Sequence, residues 1–371
     1  MDVPRSFLTE PERFRDVSRG NPRPHSLRGE AAVQARLTQE SWRLEIVGEA
    51  GARVETPRTL EAKNAITFDD LERLGRQHAK KYFKAMQCLN IAQPLGQGLW
   101  EGVPLREVLK LAGRISELRR IYYWGFHNND PKQVFRSSLS YSQVMDSAPG
   151  ELPALVAYKL NGQPISLLRG GPVRMIVPWA YGFKSIKWLQ QITLTNDFRA
   201  NDTYADNNND PESYLKTAAY IDEGPAMMAA GRPVTITGAA MVGLPGLKRV
   251  EYWLRPDAGT HGNLPEGDPA WRTARWLPCE IEPAPKDWGG ALPQGTLPRE
   301  VWGVDPRSGQ PREWPMRYSW VLWSASLGMM KPGTYEFRVR TVDQHDFAQP
   351  EPRPYPKSGR NEIQYKQIIV P

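Results

Sequence analysis

After Gly224-Pro225 the chain repeats one pattern, short runs of alternating apolar and polar residues that each end in a loop rich in glycine or proline. The runs are RPVTITGAAMV, LKRVEYWLRP, YSWVLWSASL, TYEFRVRTVD and NEIQYKQIIV. In TYEFRVRTV, Tyr335, Phe337, Val339 and Thr341 share one face while Glu336, Arg338 and Arg340 share the other. That period of two marks a strand packed on one side. The 31 glycines and 34 prolines supply the turns and weigh against a helical bundle. The spacing predicts an immunoglobulin-like β-sandwich over residues 225–371, and 371 residues are more than one ordinary core holds.

Ahead of it, residues 1–224 read as an α+β domain with an N-terminal arm. Residues 1–40 are polar and rich in arginine and proline, which suits either a disordered tail or an arm wrapped on the first domain. Trp42, Leu44 and Ile46 alternate as one face of a strand. TFDDLERLGRQH predicts a short helix capped by Thr67, and Pro104 opens a second one whose stripe is Leu105, Val108 and Leu109. IYYWGF, VRMIVP and IKWLQQITL read as strands, and Asn161-Gly162 joins two extended runs into a hairpin. NDTYADNNNDPESY reads as a long surface loop. Short helices mixed with strands, without a regular βαβ repeat, predict α+β rather than a doubly wound sheet.

Several classes lack their signatures. The two cysteines, Cys88 and Cys279, make no disulfide framework, and no CxxC occurs. His25, His78, His127, His261 and His345 show neither HxH nor HExxH spacing, and no GxSxG, Walker loop or GxGxxG fingerprint is present. Asp69 and Asp70 suit the first turn of a helix better than an acid pair. No run approaches a membrane span. The opening residues lack a signal-peptide pattern, so the cytoplasm is expected, or the periplasm if a leader has been removed. The net charge of +7 favours an anionic ligand, but scattered basic residues interleaved with acidic ones do not suggest nucleic acid.

Two segments carry chemistry. Cys88 sits in KAMQCLNIAQPLGQGLW, and its thiolate is a soft donor that suits a transition metal if a cofactor supplies the other donors; a buried thiol is the plain alternative. In LRGGPVRMIVPWAYGFKSIKWL, Gly170-Gly171-Pro172 allows close backbone approach, and Arg169, Arg174, Lys184 and Lys187 cluster around it. Arg174 can donate two parallel hydrogen bonds to a phosphate that Lys184 and Ser185 also approach. A solvated basic face is the alternative, although Ile186 and Trp188 alternate with Lys187 as in a half-buried strand. Cys279 has no comparable surroundings.

In order, Cys88, W-x-G-x-P-L (Trp100, Gly102, Pro104, Leu105), L-N-G-x-P (Leu160 to Pro164), G-G-P-x-R and K-S-x-K-W-L resemble the sulfite oxidase family of molybdopterin-dependent oxidoreductases. The match is to an atypical, bacterial-type member without a haem domain, over roughly residues 40–371. The resemblance implies molybdenum-molybdopterin as cofactor with Cys88 as the metal's thiolate ligand. Arg174, Lys184, Ser185 and Lys187 would lie on the cofactor side, with Arg19, Asn21 and His25 of RGNPRPH reaching the pterin. Arg169 and Arg174 would offset substrate charge, and Tyr214, or else Tyr204, would stand near the metal. Two departures bear on substrate: Leu89-Asn90-Ile91-Ala92 replaces the family's small residue, asparagine and two arginines, and Arg169 stands in place of a histidine. The implied reaction is oxygen-atom transfer to or from a small, sulfur-containing anionic substrate, coupled to an external electron carrier such as a cytochrome. The alternatives are an S-oxide or N-oxide reductase, or a protein of the same fold that only binds an anion. A homodimer through the C-terminal domain is also implied.

Overall fold

Trp42, Leu44 and Ile46 are completely buried on one side of the strand Arg43–Glu49, as their alternation requires. A computed structural model of the chain describes residues 6–49, 51–204, 210–229, 231–257, 259, 262, 264–265, 267–289, 291–351 and 359–371. His261 and residues 205–209 of the polar segment lie outside the described residues. Arg43–Glu49 runs parallel to Leu189–Thr195 and the other pairings of its sheet are antiparallel; the order is Ile66–Thr67, Arg43–Glu49, Leu189–Thr195, Arg120–Gly125, Ser137–Ser140.

A second sheet has the order Gln163–Pro164, Leu155–Leu160, Gly96–Pro104, Lys80–Met86, with Arg174–Ile176 also paired to Leu155–Leu160. Asn161 and Gly162 turn its hairpin with φ of 51° and 77°, the left-handed pair a tight turn needs. The helix Phe68–His78 starts with a reciprocal cap: Thr67 accepts from the Asp70 amide, and Asp70 accepts from the Thr67 amide. Its buried Phe68 and Leu71 join one core with Val103, Tyr123 and Ile192 from both sheets and with Leu105 of the helix Leu105–Leu109. This part is α+β, with helices laid on mixed and antiparallel sheets.

Two four-stranded antiparallel sheets follow. One is Ala218–Ile221, Val234–Met241, Trp320–Gly328, Glu280–Ile281; the other is Leu277–Pro278, Arg249–Pro256, Gly333–Val342, Gln364–Val370. Ile236, Val321 and Trp323 from the first share a core with Val250, Phe337, Val339 and Ile368 from the second. The first sheet thus begins at Ala218, ahead of the composition change at residue 224.

Three expectations need correction, and one open choice is decided. In Gly333–Val342 the supposed solvent face is closed, with Glu336 at 1% and Arg338 at 4% exposure. Arg338 and Arg255 both reach Glu336, Arg340 reaches Glu251 at 2.9 Å, and Arg338 and Arg340 lie 5.1 and 4.0 Å from the rings of Trp271 and Trp276. Pairing and stacking together make burial of those charges tolerable. The strand predicted over IKWLQQITL begins only at Leu189, because Trp188 turns the backbone with φ of 53°. Within the polar segment taken as a surface loop, Asp202 and Ser213 are buried. The N-terminal stretch is an arm from residue 6 on: Phe7, Leu8 and Phe14 are buried, and the Phe7 carbonyl accepts from Gln97 and from the Trp320 indole at 2.7 and 3.0 Å.

Candidate functional site

Cys88 follows the strand Lys80–Met86, whose Lys84 is fully buried. The Lys84 ammonium donates to the carbonyls of Ala85, Pro178 and Ala180 at 3.3, 2.9 and 2.9 Å, tying this strand to the segment that precedes Gly182. Burial, reinforced by Arg174, drives its pKa far down. The half-buried Cys88 thiol donates to Asn90 Oδ1 at 2.9 Å. The loop after it is held from far along the chain: Arg360 N donates to Leu89 O at 3.1 Å, and Gln364 Nε2 to Ala92 O at 2.7 Å.

Facing this loop is a wall of cations. Arg169 ends a short turn, and Gly170 reverses the chain with φ of 97°. A Cβ on Gly170 would fall 2.6 Å from Lys187 Cβ, so the glycine is what lets that lysine approach. Arg174, on its strand, donates to the carbonyls of Arg169 and Ser185, both at 2.6 Å, and its guanidinium lies 5.1 Å from the Trp100 ring. Arg169 Nη1 donates to Phe14 O at 2.8 Å. The Nε atoms of both arginines are buried without a hydrogen-bond partner.

The carboxylate that touches this wall is Asp16, with Glu12 acting on Arg169 from farther off. Asp16 Oδ1 lies 3.1 Å from Lys187 Nζ, which also donates to Ser18 Oγ at 2.6 Å and Leu168 O at 2.9 Å. The partners of this pair are pushed in opposite senses. Burial works to raise the Asp16 pKa, but the Ser18 hydroxyl and Lys187 outweigh it and bring it to about 2. Burial and the neighbouring Arg174 push Lys187 down to about 7 despite Asp16. Burial, then Arg169, pushes Arg174 down to about 9. All three shifts have one physical reading: positive charge exceeds negative charge in a desolvated place.

Cys88, Arg169, Arg174, Ser185 and Lys187 line one cavity of about 380 Å³, with Arg19 and Tyr204 at another wall. Arg19 Nη2 donates to Tyr204 Oη at 2.9 Å and its guanidinium lies 4.7 Å over Phe135, while Phe183 packs edge-on to Tyr204 at 4.8 Å. Ser185 turns its hydroxyl to the Val177 amide at 3.1 Å.

The other predicted residues lie elsewhere. Lys184 is paired at 3.0 Å with the buried Asp202 carboxylate and donates to Ser138 O, which keeps its ammonium out of the cavity. Tyr214 borders a separate cavity beside Thr217, Thr341 and Asn361, so Tyr204 is the tyrosine at the cysteine's cavity. Asn21 offers its backbone amide to Gln133, and His25 stacks on Trp188 at 6.3 Å, behind the lining. The residues missed are Phe14, Asp16 and Ser18 of the arm, together with Phe135 and Phe183. The apolar Phe7, Leu8 and Phe14 within an otherwise polar stretch were the available signal that the arm docks.

Among the described residues, no group of three or more His, Cys, Asp or Glu side chains converges. A metal on Cys88 would therefore take its remaining donors from a ligand. Two buried, unpartnered guanidinium nitrogens beside an excess of positive charge suit an anionic group on that ligand.

Residues 30–203 match the oxidoreductase molybdopterin binding domain. The chain is 28% identical over 166 residues to the protein-methionine-sulfoxide reductase catalytic subunit MsrP of Campylobacter jejuni, covering 43% of this chain and 50% of that protein. It is 26% identical over 164 residues to the mitochondrial sulfite oxidase of Drosophila melanogaster, covering 43% and 28%. It is 35% identical over 108 residues to the NADPH nitrate reductase of Beauveria bassiana, covering 29% and 11%. The chain thus spans half or less of the length of these curated relatives. Among solved structures, the sulfane dehydrogenase SoxCD from Paracoccus pantotrophus has the same fold, with a TM-score of 0.60 at 17% identity over 94% of this chain and 86% of that one.

Proposed function

Since the chain belongs to the sulfite oxidase family of molybdopterin-dependent oxidoreductases, we propose that it transfers an oxygen atom to or from a small sulfur-containing substrate. An external electron carrier, such as a cytochrome, completes the turnover. The observation that carries this reading is the pair of unpartnered, buried Nε atoms of Arg169 and Arg174 on the cavity that also holds Cys88.

When bound, the molybdenum-molybdopterin group supplies two-electron oxygen-atom transfer. Cys88 would hold its metal, and Arg169 and Arg174 would hold its anionic part. Trp100 and Leu95 exclude water from the cavity floor, and Lys84 fixes the two segments that flank the thiol. Arg19 and Tyr204 would orient the substrate at the opposite wall, the guanidinium offsetting negative charge and the hydroxyl offering a hydrogen bond.

A second reading, reduction of an S-oxide, is favoured by Ile91, which stands in the lining near Cys88 where the family pattern carries an arginine, and by the apolar Phe183 in the same lining. A sulfoxide group, polar but without net charge, suits those side chains better than a dianion, and MsrP bears that activity in its name. We also read the two C-terminal sheets as an immunoglobulin-like unit that pairs two copies of the chain, which light scattering on the purified protein tests.

Protein made in a molybdenum-replete host is expected to carry molybdenum and pterin, and Cys88→Ser to abolish turnover while pterin remains. Absence of both molybdenum and pterin, or an unchanged rate in Cys88→Ser, overturns the reading. Assaying sulfite oxidation and S-oxide reduction with artificial carriers decides the direction.

A further inference from the structure

We propose that Asp16 and Lys187 form a latch that holds the N-terminal arm closed over the cation-lined end of the cavity, and that a phosphate-bearing ligand opens it by competing for the same donors. The inference rests on the molybdopterin reading for the identity of that ligand, but not for the latch itself.

Two of the three cations at this end spend hydrogen bonds on the arm. Arg169 donates to Phe14 O, and Lys187 commits its three protons to Asp16, Ser18 and Leu168 O. The arm is anchored independently on both sides of the latch. Upstream, Phe7 and Leu8 sit in the core and Arg15 N donates to Leu95 O at 2.8 Å. Downstream, Asn21 N donates to Gln133 and Pro22 O accepts from Asn128. Gly20, with φ of 108°, lies between the latch and the second anchor, and Arg19 is itself tied to Tyr204 at 2.9 Å, so opening the latch frees the short span from Asp16 to Ser18 while both anchors hold.

The charges around the pair point the same way. Besides Arg169 and Arg174, Arg23 reaches Asp16 at 3.5 Å and His25 lies close by, while Glu12 acts on Arg169 alone, so the cations still outnumber the carboxylates. A phosphate monoester brings about −1.5 to −2 charges at neutral pH and several strong acceptors. Seated on the two free Nε atoms, it would repel the adjacent Asp16 carboxylate and take over Lys187. Like charges in a desolvated site strongly disfavour each other.

The test is amide hydrogen exchange of residues 15–20 in the cofactor-free full chain, with inorganic phosphate as the probe. Loss of a charged hydrogen bond at a partly buried site should speed exchange about tenfold or more in Asp16→Asn and in Lys187→Met. The double variant should exchange no faster than either single one, and Ser18→Ala should show a smaller change in the same direction. Phosphate should speed exchange in the wild type and leave Lys187→Met unmoved. Wild-type exchange in Asp16→Asn, additive single effects, or protection by phosphate each overturn the latch. Pterin content of the purified protein is measured separately. A phosphate-responsive latch in a protein that never carries pterin defeats the cofactor reading and spares the latch, while pterin with no response to phosphate defeats the latch alone.

Discussion

On the outer face of the sheet around Gly333–Val342, Arg255, Arg338 and Arg340 each meet a carboxylate, Glu336 or Glu251, and each lies over an indole ring. Beside the cavity, Asp16 pairs with Lys187, Arg169 and Arg174 donate to backbone carbonyls, and two guanidinium nitrogens are left over. Both places take cations out of water, at a cost in desolvation. In the first, the chain itself offsets that cost, so the charges serve the fold. In the second the chain offsets it only in part, and a ligand of opposite charge can supply the remainder. Unmatched buried charge is thus a better pointer to a binding site than buried charge as such.

The largest expected effect breaks the matched region. Glu336→Ala strands the buried Arg338 and should cost about 3–5 kcal/mol in urea unfolding, as removal of one partner of a buried pair does. It should leave pterin content unchanged. Arg174→Met does the reverse. Losing charged hydrogen bonds should weaken cofactor retention about tenfold to hundredfold, read as pterin per protein after dialysis. The fold should lose less stability than in Glu336→Ala, because relief of repulsion by Arg169 offsets the two carbonyls left without donors.

A pH titration sharpens the same contrast. The Lys187 pKa is depressed to about 7 in the fold from an ordinary 10.5. Below about pH 7 the folded state bears the full penalty of the charged form. As pH rises from there toward 10.5 the unfolded chain holds the proton more tightly, and stability rises. Sulfate, whose own charge is fixed in this range, should bind the cofactor-free protein more weakly as pH rises through about 7, and Lys187→Met should flatten both curves. The smallest effect concerns the two cysteines. Burial, with Glu251 nearby, pushes the Cys279 thiol up to about 12, so iodoacetamide at pH 8 should label Cys88 in the cofactor-free protein and spare Cys279.

Much of this was legible in local sequence. The Thr67 cap, the Asn161-Gly162 turn, the strand faces at Trp42 and Phe337, and the meeting of Cys88 with Arg169 and Arg174 follow from spacing, or from motifs whose order is specific. Partnerships distant in sequence were not. Lys184 and Lys187 look alike in GFKSIKWL, yet the first is consumed by Asp202 and the second faces the cavity. What separates them is a polar segment whose aspartate happens to be buried and a backbone reversal at Trp188. Asp16 was hidden in the same way, inside a stretch whose composition suggests disorder. Its docking depends on Phe7, Leu8 and Phe14 finding distant pockets. Glu336 and Arg338 alternate like solvent-facing residues because alternation reports which face a side chain takes, not what later covers that face.

The hydrogen bonds from the Arg360 amide to Leu89 O and from the Gln364 side chain to Ala92 O join the cysteine's loop to the strand Gln364–Val370 and the residues leading into it. The two ends of this protein are therefore not separable parts for purposes of engineering. A fragment ending near residue 224 would keep every residue that faces the cavity, yet lose the brace that fixes the span just after Cys88. Grafting the redox half onto another partner would call for the final strand to travel with it.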